Sequence, residues 1–70
     1  MKKLTLNYLG RDSWSRPVYE ADGRLYVDVD PRKDRGPDIC TKMHNAFDGE
    51  PCDPVEAEFE FVPSRDTWNF

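Results

Sequence analysis

The sequence predicts an all-β fold: one small domain, 1–70, of four to five antiparallel strands in a twisted meander sheet or a partly open barrel. Three observations carry that expectation. Apolar and polar residues alternate with period two in Arg24-Leu25-Tyr26-Val27-Asp28-Val29-Asp30 and in Val55-Glu56-Ala57-Glu58-Phe59-Glu60-Phe61, the pattern of strands with one face toward a core. Asp22-Gly23 precedes the first of these runs, and that dipeptide accepts the positive φ angles of a type I′ hairpin turn. Six prolines and four glycines interrupt the 70 residues too often for a long helix.

The first strand is expected near 3–9, where Leu4-Thr5-Leu6-Asn7-Tyr8-Leu9 follows Lys2-Lys3. Thr5 and Asn7 interrupt it, so the positive start is not followed by the apolar stretch of a signal peptide. The second strand, near 14–20, reaches the third, near 24–30, through the Asp22-Gly23 turn. A two-residue loop sets Ala21 against Arg24, which puts Tyr19 opposite Tyr26 and Val18 opposite Val27. An odd-length connection with a bulge at Gly10 or Ser13 then aligns Leu6 with Val18. Leu6, Val18, Leu25, Val27, Val29, Phe59 and Phe61 become the expected core, with Tyr19 and Tyr26 on the opposite face. A sheet covered on both sides permits either parity.

Pro31 to Pro37 reads as a polar crossing loop, and a fourth strand is expected near 39–43. Residues 44–54 hold Asp48-Gly49-Glu50-Pro51 and Asp53-Pro54 and read mostly as turn, with one helical turn around Asn45 to Phe47. The last strand is expected near 55–62. The tail 63–70 carries Trp68 and Phe70 and folds back, because at this size folding buries only roughly 60% of the unfolded surface and the core needs them.

Composition limits function before any motif is considered. The chain is 37% hydrophobic, 13% aromatic and 34% charged, with a mean hydropathy of −0.87; aromatic content and periodicity mark it as folded in spite of its polarity. A core this small leaves no room for a buried cofactor, so none is expected. A net charge of −4 lacks the footprint of a phosphate-backbone binder, and direct nucleic-acid binding is not expected. Met1 to Arg16 holds four basic side chains and one acid, whereas Asp38 to Phe70 holds two basic and eight acidic. No run approaches the roughly 20 apolar residues of a membrane span. A cytoplasmic protein with reduced Cys40 and Cys52 is expected.

Chemical constellations are sparse. Cys40, His44 and Cys52, with Asp38, Asp48 or Asp53, carry zinc's preferred donors, but structural zinc usually takes four Cys or His ligands with a close Cys-x2-Cys pair. A small zinc-binding domain is the weaker alternative, with Cys40 packed inward on a strand and Cys52 in a loop as the plainer reading. Asp28, Asp30 and Asp34 imitate the start of a calcium loop, yet Arg32 occupies an acidic position and the sixth-position glycine is absent; they read as a solvated strand end. Glu56, Glu58 and Glu60 point into water, where nothing raises a pKa for acid–base work. His44 is the only histidine, and Ser13, Ser15 and Ser64 lie in no nucleophile elbow. No catalytic and no metal-binding residue is expected.

Surface recognition remains. Trp14, Arg16, Tyr19 and Tyr26 are residue types favoured in binding hot spots, and with Glu56, Glu58 and Glu60 they form the candidate interaction surface for a protein partner. A second alternative is an acidic nucleic-acid mimic that inhibits a host defence enzyme. On an extended strand, alternate carboxylates stand roughly 7 Å apart, close to phosphate spacing.

Gly10-Arg11-Asp12-Ser13-Trp14-Ser15-Arg16-Pro17-Val18-Tyr19, Gly23-Arg24-Leu25-Tyr26-Val27-Asp28-Val29, Ile39-Cys40-Thr41-Lys42 and Phe47-Asp48-Gly49-Glu50-Pro51 resemble the small domains associated with large polyvalent proteins of bacterial conjugative elements and phages. The similar stretch runs from about Tyr8 to Asp53. The resemblance implies a mobile-element accessory protein with no assigned activity, and it carries over no catalytic or binding residue.

Overall fold

The computed structural model describes residues 2–68; the expectation for Phe70 lies outside them. The fold is all-β, with six strands: β1 (Lys3–Arg11), β2 (Pro17–Ala21), β3 (Arg24–Asp28), β4 (Ile39–Lys42), β5 (Pro51–Pro54) and β6 (Glu58–Val62). A single 3-10 turn, Met43–Asn45, follows β4. The sheet order is β5-β4-β3-β2-β1-β6. Neighbouring strands are antiparallel except β1 and β6, which are parallel, so the expected four to five antiparallel strands become six in a mixed sheet. The extra strand is β5, in a stretch read as turn because prolines bound it. Its pairing is short and irregular, with Cys40 opposite Pro54 and Lys42 opposite Pro51.

The sheet must curl. Six strands about 4.8 Å apart separate the outer two by roughly 24 Å when flat. Only Val55–Ala57 connects β5 to β6, and a link of that length reaches about 13 Å. The edges are therefore drawn toward each other around the apolar face, although the sheet does not close.

The central hairpin follows local chemistry. Asp22 and Gly23 have φ of 53° and 79°, and Tyr19 lies opposite Tyr26 and Val18 opposite Val27, the expected register. The β1–β2 parity is the reverse of the expectation. Tyr8 lies opposite Tyr19, and Gly10, φ 136°, lies opposite Val18 with the register shifting between Tyr8 and Gly10. Leu6 therefore shares a face with Tyr19, not Val18.

The inner face is the tyrosine face. Leu4, Leu6, Tyr19, Ala21, Tyr26 and Ile39 form its core, with Tyr8, Val55, Ala57, Phe59 and Phe61 packed against it. Leu4 pairs with Phe59 and Leu6 with Phe61 across β1 and β6. Tyr19 packs edge-on to Phe61, ring centroids 5.1 Å apart, and Tyr8 lies 5.7 Å from Tyr19; such tilted pairs add to the area they bury. Val18, Val27 and Cys40 are buried on the other face, while Leu25 and Val29, expected in the core, are only half-buried. The sheet is therefore covered on both faces along β2, β3 and β4.

Candidate functional site

The candidate surface residues divide sharply. Tyr19 is wholly buried and Tyr26 is 9% exposed, so neither belongs to an interaction surface; both are core. Trp14 is 47% exposed, in the turn between β1 and β2, and Arg16 is half-buried in the same turn. Glu58 and Glu60 lie exposed on β6, whereas Glu56 precedes the strand in the link. Lys3 Nζ lies 3.7 Å from Glu60, so the expected acidic row is shortened and partly neutralised.

The turn that carries Trp14 is built around Asp12. Its Oδ1 accepts the Trp14 amide at 2.9 Å and the Arg16 amide at 3.1 Å. Its Oδ2 accepts from Lys42 Nζ, and this ion pair is enclosed, the two side chains being 0% and 1% exposed. Lys42 Nζ also donates to the Gly49 carbonyl at 3.1 Å, and the Ser13 amide donates to Asp48 Oδ1 at 3.0 Å. The 12–16 turn is thereby tied to the 46–49 turn. Burial pushes the Asp12 carboxyl up, but the Lys42 hydrogen bond and the two amides outweigh it and hold it below its ordinary 3.8. Gly49 is required there, since a Cβ would come within 2.4 Å of the Met43 carbonyl.

A second network holds the tail on the inner face. Asp28, read from sequence as a solvated strand end, is fully buried. Its Oδ1 accepts the Asp38 amide at 3.0 Å and its Oδ2 accepts from Arg65 at 3.3 Å. Arg65 also donates to the carbonyls of Arg35 and Arg32. Next to it, Asp66 receives Tyr8 Oη at 2.7 Å and a two-point contact from Arg11, and its amide donates to Tyr19 Oη at 3.0 Å. Trp68 Nε1 donates to the Ser15 carbonyl at 2.8 Å. Burial raises Asp28, Arg11 hydrogen bonding lowers Asp66, and burial pushes the Tyr19 phenol up to about 12.

Asp12, Asp28 and Asp66 each use both oxygens within the fold. No buried side-chain polar atom lacks a partner among the described residues, and these networks tie the tail and the two turns to the sheet. The zinc donors do not converge: no three His, Cys, Asp or Glu side chains form a metal-holding group among the described residues. Cys40 is buried and Cys52 is exposed on β5, in a strand where a loop was expected. His44, at φ 58°, is exposed and lines a hollow of about 390 Å³ with Cys52 and Asp53. Asn45 is occupied locally, accepting the Leu25 amide at 2.7 Å and donating to the Gly23 carbonyl at 3.1 Å.

Large apolar side chains are exposed at the end of the β1–β2 hairpin. Trp14 and Leu9, 47% and 50% exposed, stand beside the turn, and Phe47, 38% exposed, belongs to the 46–49 segment tied to it. Sequence reading finds Trp14 by residue type but misses Phe47, because the Ser13 to Asp48 bond that joins the two turns is non-local. No family model, curated protein or solved structure matches this chain.

Proposed function

We propose that this chain is a non-catalytic protein-binding accessory domain, encoded on a bacterial mobile element as the resemblance implies, that engages its partner through the Trp14 end of the sheet. The observation that carries the reading is Trp14 itself: a large aromatic, 47% exposed, on a turn already held by Asp12 and Lys42. A preformed turn loses little further freedom on binding, and tryptophan dominates measured hot spots. The reading places the protein in the cytoplasm, where Cys40 and Cys52 stay thiols. The nucleic-acid-mimic alternative has less support, because Glu56 lies outside β6 and Lys3 offsets Glu60.

Affinity capture from the native host with wild type and Trp14→Ala in parallel tests the reading. A partner retained by wild type and reduced at least about tenfold by the variant is expected, a hot-spot-sized loss. Equal recovery on both, or turnover of a small molecule by the chain alone, overturns it.

A further inference from the structure

We infer that β6 is a docking edge for an added strand from a polypeptide in which basic and apolar residues alternate. This rests on the protein-binding reading only in taking the partner to be a polypeptide; the surface is a different one. β5 and β6 are the two edges of the sheet, and they are unlike. β5 is four residues long and starts and ends in proline, which has no N–H to give a ladder and guards an edge against pairing. β6 is five residues, Glu-Phe-Glu-Phe-Val, with no proline.

The backbone of β6 has one side spoken for. Glu58 lies opposite Lys3, and its amide donates to the Lys2 carbonyl at 2.8 Å. Successive N–H groups of an extended strand point to opposite sides, so those of Glu58, Glu60 and Val62 face β1 while those of Phe59 and Phe61 face outward. No strand among the described residues lies beyond them. An incoming strand would take up these outward groups, the strand-addition mode of peptide recognition.

The side chains specify the occupant. Phe59 and Phe61 are half-buried on the inner face, and Glu58 and Glu60 are exposed on the outer face. An added strand sets its own alternate residues beside these two rows, apolar next to phenylalanine and basic next to glutamate. A second copy of the chain fits badly. Antiparallel registers that place Phe59 against itself or against Phe61 set Glu58 against Glu60, or Glu60 against itself, and like charges directly opposite are destabilising. Lys3 already shares Glu60 at 3.7 Å, so Glu58 leads in selecting a basic strand, and the same carboxylates disfavour self-pairing.

The probe is an acetylated, amidated peptide of alternating lysine and valine, about eight residues, enough to span β6 at roughly 3.3 Å per residue. Hydrogen exchange of the labelled full chain is followed by NMR. The Phe59 and Phe61 amides are expected to slow by about tenfold or more with this peptide. A glutamate-for-lysine peptide and a peptide methylated on its backbone nitrogens should leave them unchanged. Glu58→Gln with Glu60→Gln should abolish the preference for lysine. Unchanged exchange overturns the inference, as does equal protection by the methylated peptide, which reports charge attraction alone. Protection that rises with protein concentration and no peptide points instead to a second copy and also overturns it. Trp14→Ala leaves the peptide result unaltered, so failure here and failure of the Trp14 reading are told apart.

Discussion

Among the described residues two ion pairs with a buried carboxylate hold this sheet, one on each face, and they are built differently. Asp12 and Lys42 are both sealed, 1% and 0% exposed, on the valine face. Asp28 is sealed on the tyrosine face, but Arg65 is 19% exposed and comes from the tail. The carboxyls respond in opposite directions. Asp12, with an ammonium and two amides on its oxygens, titrates below its ordinary 3.8; Asp28, for which burial outweighs the Asp38 amide and Arg65, titrates above it. A closed pair keeps its charges and depends wholly on its partner, whereas an open pair can shed its charge by taking a proton.

Breaking the closed pair should cost most. Lys42→Met strands a charged Asp12 where water does not reach, and such breaks cost about 3–5 kcal/mol, a large share of what a domain of this size possesses. Arg65→Met leaves Asp28 with the Asp38 amide and a proton within reach, and about 1–3 kcal/mol is expected. Thermal melting by circular dichroism separates the two, since each kcal/mol moves the midpoint of so small a domain by about 4–8 °C. Equal midpoints would erase the distinction between the pairs.

These pairs also show where sequence reading stops. The Asp22-Gly23 hairpin and its register were legible because a two-residue turn is a local property. Alternation likewise marked β3 and β6. It could not say that both faces of β2 and β3 are covered: Val18 and Val27 are buried as expected, and Tyr19 and Tyr26, expected on the outer face, are buried too. Lys42 and Asp12 are 30 residues apart and Arg65 and Asp28 are 37 apart; nothing in either neighbourhood announces the partner. The same holds for the parallel β1–β6 pairing, which depends on Val55–Ala57 carrying the chain around the curled sheet. Of the candidate surface, Trp14 was legible by type, and Tyr19 and Tyr26 were lost with the face assignment.

The pH response sharpens the comparison. A carboxyl raised in the fold binds its proton before the unfolded chain does, so Asp28 favours folding increasingly as pH falls through its folded value toward 3.8. Asp12 and Asp66 are lowered, so their contributions are intact above 3.8 and vanish as pH falls through their folded values. Wild type should therefore gain from Asp28 on the way down and lose from the other two below it. Asp28→Asn removes the gain and leaves the loss. Midpoints of wild type and variant measured from pH 7 to pH 3, in steps of about half a unit, read the difference; parallel curves would mean that Asp28 carries no such shift.

The smallest effect concerns the tail side alone. Tyr19→Phe keeps the ring against Tyr8 and Phe61 but removes the oxygen that accepts the Asp66 amide at 3.0 Å, a loss of about 1 kcal/mol at neutral pH. The more informative consequence is alkaline. Burial pushes the Tyr19 phenol from 10.0 to about 12, so the fold holds that proton after the unfolded chain has released it. The contribution is complete below pH 10 and is lost as pH rises toward 12. Urea titrations at neutral pH and above pH 10 should show wild type losing stability that Tyr19→Phe has no means to lose, so the gap between them narrows or reverses. The closed Asp12 and Lys42 pair has no part in this gap, so adding Asp12→Asn to both chains should leave it unchanged. A gap that does change would show that the two faces are coupled through β2 and β3.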